Sequence, residues 1–382
     1  MIKINCSLQN IQFIDNYSKD TDLVNIINKI IKQNDVQLND VISLLETKDI
    51  QHLGLVSNYL REIQFGKTVT FINNLILNYT NVCITNCKFC AFYRPPNHQE
   101  SYTVSQDEIL NRIIFAKSNF NIKQVLFQGG HNPKLNIEYF EEIFKTISLK
   151  CPDVAIHGLS ASEIDMISKV SRSSTKEVLQ RLKKAGLASL PGAGAEILDD
   201  EVKDIISPLK ISSDTWLRIM EEAHLLGIKS SATMMYGTVE STEQRARHLM
   251  KILSLQRKTN GFMAFIPWSF EPNKTEMQDK GLVKYPLGGF ELLKMISVSR
   301  IIFHGLIDHL QSSWLTNGVG MAQLAIFHGS DDFGGTLIGE EVVSATGARS
   351  TELLAGNIIN SIKAMKFTPA ERNNNYEIIK YH

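Results

Sequence analysis

Residues 71–90, FINNLILNYTNVCITNCKFC, decide how this chain is to be read. The first part, 71–79, is a short apolar run of strand length. It passes directly into a polar loop that carries Cys83, Cys87 and Cys90. Outward from this point the same rhythm repeats: short apolar runs alternate with longer amphipathic stretches. After 71–79 the expected strands are roughly 123–128, 154–159, 187–190, 228–235, 261–266, 306–311 and 323–327. Helical spacing fills 105–119, 136–150, 175–185, 213–226, 241–258 and 289–304. Strands alternating with helices point to a parallel α/β fold, and eight of them to a (β/α)8 TIM-type barrel. The spacing predicts a helical N-terminal extension over 1–67, the barrel over 68–340, and a C-terminal helical tail over 341–382 packed on it.

The polar and glycine-rich segments follow the strands. They are the cysteine loop, Gln128-Gly129-Gly130-His131, Pro191-Gly192-Ala193-Gly194, Tyr236-Gly237, Pro267-Trp268-Ser269-Phe270 and Ser330-Asp331-Asp332-Phe333-Gly334-Gly335. In a parallel barrel these loops share one rim, where active sites form.

Bulk properties narrow the field. Lys+Arg and Asp+Glu are both 40 in 382 residues, a balance that gives no sign of a nucleic-acid or anionic-membrane partner. MIKINCSLQN lacks the basic start and apolar stretch of a signal peptide, and no run of about 18 apolar residues occurs. The expectation is a cytoplasmic protein without membrane insertion.

The chain has five cysteines, three of them within the eight positions 83–90, and Cys6 and Cys151 standing alone. Odd number and tight clustering argue for a metal or redox site over a disulfide framework. Three thiolates from one loop can hold a 4Fe-4S cluster and leave one iron open to a reactant. S-adenosylmethionine (SAM) can chelate that iron, and an electron from the reduced cluster can then release a 5′-deoxyadenosyl radical. Zinc asks for a second ligand pair, which the sequence does not supply.

The run NYTNVCITNCKFCAFYRPP (78–96) resembles the radical SAM group of menaquinone-pathway and deazaflavin-cofactor enzymes, the cyclic dehypoxanthine futalosine synthases in particular. QGGHNP (128–133), SLPGAGAEIL (189–198), SATMMYG (231–237), FIPWSFEPNKT (265–275), HLQSSW (309–314) and DDFGGT (331–336) extend the likeness over about residues 40–365. CAFYRPP, IPWSFEPNKT and QSSW carry the subgroup; AEILDDEV and ATMMYG are shared with the deazaflavin group. Ala193 departs from the expected glycine of GGGAEI.

The resemblance implies a cyclase of the futalosine route that takes dehypoxanthine futalosine as substrate. Hydrogen is removed at ribose C4′, the carbon radical closes on the arene, and loss of a proton and an electron restores aromaticity. It implies a 4Fe-4S cluster, SAM, and a reductant such as flavodoxin or ferredoxin. Phe89 fits an aromatic beside adenine or plain loop packing; the resemblance also implies Gln128, Gly129 and Gly130 along the methionine part of SAM, against a strand-ending turn, and Glu196 on the SAM ribose, against a helix N-terminal carboxylate. His131 and His157, near strand ends, can bind substrate or move a proton, as can Tyr236; His131 and Tyr236 are the catalytic candidates. Trp268 and Trp314 read as pocket wall or core, Ser312 and Ser313 as hydroxyl donors or turn formers. Arg94 reads as a partner of the cluster or a carboxylate, or as a surface ion pair. Asp331 and Asp332 read as a turn cap with a rim position. The competing functions are an aminofutalosine synthase, a deazaflavin-cofactor synthase, or a non-catalytic iron–sulfur or zinc protein.

Overall fold

The chain was analysed as a computed structural model that describes residues 14–33, 35–348 and 352–382. Among the described residues the helices Thr21–Gln33, Leu38–Glu46 and Ile50–Phe65 precede the first strand. The last two pack on the barrel helices Thr242–Thr259 and Gly289–Ile302, burying Val41, Leu44, Leu53, Val56 and Leu60.

The apolar run that opens the barrel is two strands. β1 (Thr68–Ile72) and β2 (Asn74–Asn78) part at Asn73 and enter different sheets. β2 begins a seven-stranded parallel sheet, continued in order by β3 (Gln124–Gln128), β4 (Ala155–Gly158), β5 (Leu187–Leu190), β6 (Lys229–Tyr236), β7 (Phe262–Ser269) and β8 (His309–Leu310). The α/β barrel-type expectation therefore stands, but its eighth strand does not lie at 323–327. That segment belongs to the helix Val319–Phe327, which buries Ala322, Ala325 and Ile326 at helical spacing. A short apolar run has no period of its own to tell strand from helix.

Closure comes from the following segment, β9 (Asp332–Gly335) and the residues just after it. Ser312 N–H donates to Asp332 O at 2.9 Å, and Ile76 N–H to Ile338 O at 2.8 Å. Single parallel bridges thus join Gln311, just after β8, to β9 and Ile338 to β2, spanning the gap in the sheet.

The expected helical tail is only partly helical. After the helix Ala355–Ala364 come β10 (Thr368–Arg372) and β11 (Ile378–Tyr381), in a four-stranded sheet of order β11-β10-β1-β9. TPAERNNNYEIIKY has the polarity of a loop; pairing with β1 imposes the strand, as tertiary context does for β structure.

This hairpin packs beneath the N-terminal ends of the barrel strands. Arg372 is buried and donates from Nη2 to Asp332 Oδ2 at 2.6 Å, with Tyr376 lying 3.7 Å over its guanidinium. Beside it Asp331 accepts from Arg300 Nη2 at 2.5 Å and meets His309 Nδ1 at 2.7 Å. Asp331 and Asp332 therefore sit at the start of β9, at the opposite end from the cysteines. They tie the floor of the barrel and take no place on its rim.

Removing one partner of a buried ion pair leaves the other charge uncompensated. Arg372→Met is expected to lower stability by about 3–5 kcal/mol, read as a lower chemical-denaturation midpoint. A midpoint unchanged from wild type would show that the floor does not depend on this pair.

Candidate functional site

The strand ends gather at one mouth. The cysteine loop leaves β2 and is fastened on several sides. Cys83 N–H donates to Arg94 O at 2.9 Å, Cys90 N–H to Cys87 O at 3.0 Å, and Lys88 N–H to Ile206 O at 2.9 Å. Met277 N–H donates to Lys88 O at 3.1 Å, joining the loop to the segment after β7. Arg94 turns inward on its own loop, donating from Nη1 to the carbonyls of Ala91 and Tyr93 and from Nε to Glu100. The Glu100 pair is the surface ion pair that the sequence allowed, and the carbonyl contacts add a hold on the loop backbone.

The two glycines after β3 are explained by close approach. A Cβ on Gly130 would lie 2.3 Å from Val82 O, and one on Gly129 2.8 Å from the Tyr79 ring. Only glycine lets this segment lie against the cysteine loop. Glu163 anchors the same corner. It is buried and accepts from Tyr79 Oη at 2.8 Å, Gly129 N–H at 3.0 Å, and Ser160 N–H and Oγ, each at 2.7 Å. Burial raises its pKa, against these four donors. Ser160 and Glu163 form a capping box, a signal legible in SASE as S-x-x-E before an apolar helix.

Cys83, Cys87 and Cys90 are free thiols, with Thr85 Oγ1 at 3.0 Å from Cys83 Sγ and 3.6 Å from Cys87 Sγ. Burial pushes the Cys87 thiol up to about 12, against the pull of Lys210, and raises Cys90 as well. Thiols so placed become thiolates when a cation binds them, which iron provides. Among the described residues no three His, Cys, Asp or Glu side chains converge as ligands of a single ion do. A 4Fe-4S cube gives each thiolate its own iron, so three thiols on one loop suit it without converging on one point. Cys151 closes the helix Ile137–Lys150 at the other end of the barrel, and Cys6 lies outside the described residues.

Beside the cysteines lies a buried charge cluster that the sequence reading missed in part. Glu196, with φ 44°, follows β5 and accepts from Lys210 Nζ at 2.9 Å, with Lys203 Nζ at 3.7 Å. Lys203 also donates to Gly194 O at 3.1 Å. Burial pushes Glu196 up, but the two lysines outweigh it and hold the carboxyl below its usual range. Lys210 Nζ stands 5.5 Å from the centre of the Phe89 ring, inside the cysteine loop. Two lysines against one carboxylate leave a positive excess next to three thiols, and Glu196 Oε2 is buried without a hydrogen-bond partner. An anionic cluster with a hydroxyl-bearing ligand fits both features.

His131 is buried beside Gly130. Burial, then Lys210, push its pKa down to about 3, so it is neutral near pH 7 and a weak proton acceptor. Tyr236 does not reach the mouth. It shares a strand face with Ser230, which meets His224 of the outer helices at 2.8 Å, and its ring faces Arg245. The strand's two-residue alternation places Tyr236 in the helix layer.

The inward faces are lined differently. Leu126, Gln128, Thr233, Ile266 and Trp268 are half-buried, whereas Phe127, Ala232, Met234 and Phe265 between them are buried. That alternation marks an accessible lumen with Trp268 on its wall. Ser312 and Ser313 are spent on structure, donating to Phe333 O and Pro267 O, and Trp314 Nε1 donates to Gly335 O.

Residues 77–252 match the radical SAM superfamily, and 259–382 match the family described as the CofH/MqnC C-terminal region. The chain is 37% identical to cyclic dehypoxanthine futalosine synthase of Streptomyces coelicolor, over 94% of this chain and 90% of that one. It is also 37% identical to 5-amino-6-(D-ribitylamino)uracil–L-tyrosine 4-hydroxyphenyl transferase of Methanocaldococcus jannaschii, over 91% of this chain and 98% of that one. Among solved structures, methylornithine synthase (PylB) superimposes with a TM-score of 0.68 at 19% identity, covering 90% of this chain and 97% of that one. No helix among the described residues is long and apolar enough to cross a membrane.

Anaerobic reconstitution is expected to load about four irons and four sulfides per chain, the content of one cubane. Cys83→Ala, Cys87→Ala and Cys90→Ala should each abolish formation of 5′-deoxyadenosine from SAM, while Cys151→Ala should not. Gly130→Ala should lower iron content with all three thiols present, through the clash with Val82 O. Deoxyadenosine formation by the triple alanine variant would refute the assignment.

Proposed function

The chain belongs to the CofH/MqnC group of the radical SAM superfamily, and on that premise we propose that it is the futalosine-pathway cyclase of that group. The reaction converts dehypoxanthine futalosine to its cyclic form in menaquinone biosynthesis. Enzymes of this superfamily use a 4Fe-4S cluster and SAM, which when bound and reduced supply a 5′-deoxyadenosyl radical. The ribose C4′ hydrogen passes to that radical as 5′-deoxyadenosine, the carbon radical bonds to the arene, and aromaticity returns by loss of a proton to a base and of an electron for which the oxidised cluster would be the acceptor.

In this reading Cys83, Cys87 and Cys90 hold the cluster. Phe89, Gln128, Gly129, Gly130 and Glu196 would surround SAM, with Glu196 Oε2, which has no hydrogen bond within the protein, accepting from a ribose hydroxyl. His131, buried beside Gly130 and neutral near pH 7, is the candidate proton acceptor of this reading. The half-buried lumen under the mouth takes the substrate, and the barrel wall excludes water from the radical. Flavodoxin or ferredoxin is the class of reductant.

One observation carries the choice of the cyclase. It is the presence of CAFYRPP, IPWSFEPNKT and QSSW, the segments whose resemblance favours the cyclase. Lys88 O bonds the Met277 amide just after the second segment, and Ser313 Oγ donates to Pro267 O between the second and third. Contacts just outside the first two segments, and between the second and third, bring their neighbourhoods together at the mouth. The equal identity to the ribitylaminouracil transferase supports the second reading, a deazaflavin-precursor enzyme.

Reconstituted enzyme with SAM and reductant should be given dehypoxanthine futalosine in one reaction, and 5-amino-6-(D-ribitylamino)uracil with L-tyrosine in another. Mass spectrometry should find a product two hydrogens lighter than dehypoxanthine futalosine, and the uracil unchanged. A uracil–hydroxyphenyl adduct with dehypoxanthine futalosine untouched would establish the second reading instead.

A further inference from the structure

A chain of side-chain hydrogen bonds crosses the barrel from Asn74 on β2 to His157 on β4. It begins at a group that cannot turn round: the Leu337 backbone N–H donates to Asn74 Oδ1 at 2.9 Å. Asn74 therefore presents Nδ2 to Gln124 Oε1 at 3.2 Å, and Gln124 presents Nε2 to Asn374 Oδ1 at 2.7 Å. Ser189 Oγ lies 3.1 Å from that same oxygen. An amide oxygen only accepts, so the Ser189 proton points at Asn374. Ser189 has no second proton for its 2.6 Å contact with His157 Nδ1, so Nδ1 carries the hydrogen there. Gly335 makes room for the start of the chain, since a Cβ would lie 2.2 Å from Asn74 Oδ1.

His157 is buried. Burial, then Arg372, push its pKa down to about 3, which keeps the ring neutral. A neutral imidazole protonated on Nδ1 bears a lone pair on Nε2. Nε2 has no hydrogen bond among the described residues and is not among the buried atoms sealed off without a partner. His157 pairs in register with Leu126 and Ser189, on the inward side of the sheet.

We infer that His157 Nε2 accepts a hydrogen bond from a sugar or polyol hydroxyl of the substrate. The relay leaves Nε2 able only to accept, so it selects a donor and turns away a carboxylate or phosphate. Low proton affinity suits a fixed hydrogen bond and not proton transfer. His157 is level with Leu126, two residues below Gln128, or about 7 Å deeper than the rim segments at the usual strand rise. A ligand group reaching it belongs to the substrate in the lumen. The inference rests on the reading above only in needing a hydroxyl-bearing substrate, which the ribose of dehypoxanthine futalosine and the ribityl chain of the alternative both provide. The C-terminal hairpin would then act on specificity through Asn374, which holds Ser189 and thereby the ring.

The test measures substrate binding by calorimetry to anaerobic reconstituted enzyme with SAM and no reductant, so that no turnover occurs. His157→Asn can keep an N–H toward Ser189 but removes the Nε2 acceptor, and His157→Gln restores an acceptor near that place. The Asn variant should bind substrate about ten-fold more weakly, the loss of one hydrogen bond with its donor left unpaired. Its SAM affinity and cluster EPR signal should match wild type, and Gln should recover most of the loss. Among substrate analogues each lacking one hydroxyl, one should bind wild type about ten-fold more weakly and bind the Asn variant and wild type alike. An Asn variant with unchanged substrate affinity would overturn the inference, as would deoxy analogues that all bind wild type as well as the substrate; the latter needs no variant to fold. Wild type that binds ribitylaminouracil and not dehypoxanthine futalosine would overturn the cyclase reading alone, and the same comparison would then be made on the ribityl hydroxyls.

Discussion

Three thiols on one short loop can serve a cubane only if the loop keeps them apart, each facing its own iron, with the fourth corner open. Much of the upper barrel is organised around that constraint. The Arg94 carbonyl and guanidinium hold the two ends of the loop, Ile206 and Met277 hold its middle, and Gly130 lets the next strand end press against Val82 O. The pressure is backbone on backbone, so no flexible side chain can yield to relieve it. The segments expected to meet SAM are therefore positioned by the same contacts that shape the cluster loop.

Two buried carboxylates at neighbouring strand ends show how environment divides labour. Glu163 is surrounded by neutral donors from three segments, and burial raises its pKa; it works as a tie. Glu196 lies between Lys203 and Lys210, which hold its carboxyl below the usual range, and Oε2 faces Lys203 at 3.7 Å without a hydrogen bond. The first has its hydrogen-bonding capacity filled inside the protein, whereas the second has an oxygen without a hydrogen bond, which the proposed reading gives to a ligand. The lysines also bring positive charge to the side where three thiolates form, reducing the cost of gathering negative charge in a buried place.

Much of this was legible in the sequence, for physical reasons that differ by element. The cysteine spacing needs no tertiary information, and Gln128-Gly129-Gly130 declares a close approach. Strand alternation gave most of the parallel sheet. What was not legible depends on long-range partners. Val319–Phe327 is apolar without period, so its helix could be read as a strand. β10 and β11 are polar and become strands by pairing onto β1. Tyr236 ends a strand at the right height but on the outward face, and its partner Arg245 is what reveals it. Lys203 and Lys210 look like ordinary surface lysines until folding turns them onto Glu196. The relay to His157 draws residues from β2, β3, β5 and the C-terminal hairpin, which no local window contains.

The central claim is that the radical generated at the mouth acts on the sugar of a substrate held in the lumen, leading to ring closure. Dehypoxanthine futalosine carrying deuterium at ribose C4′ addresses it directly, with 5′-deoxyadenosine and cyclised product analysed after a single turnover. The account requires the deuterium to appear in 5′-deoxyadenosine and to be absent from the cyclic product. Deuterium retained in the product, or released to water with 5′-deoxyadenosine unlabelled, would contradict it.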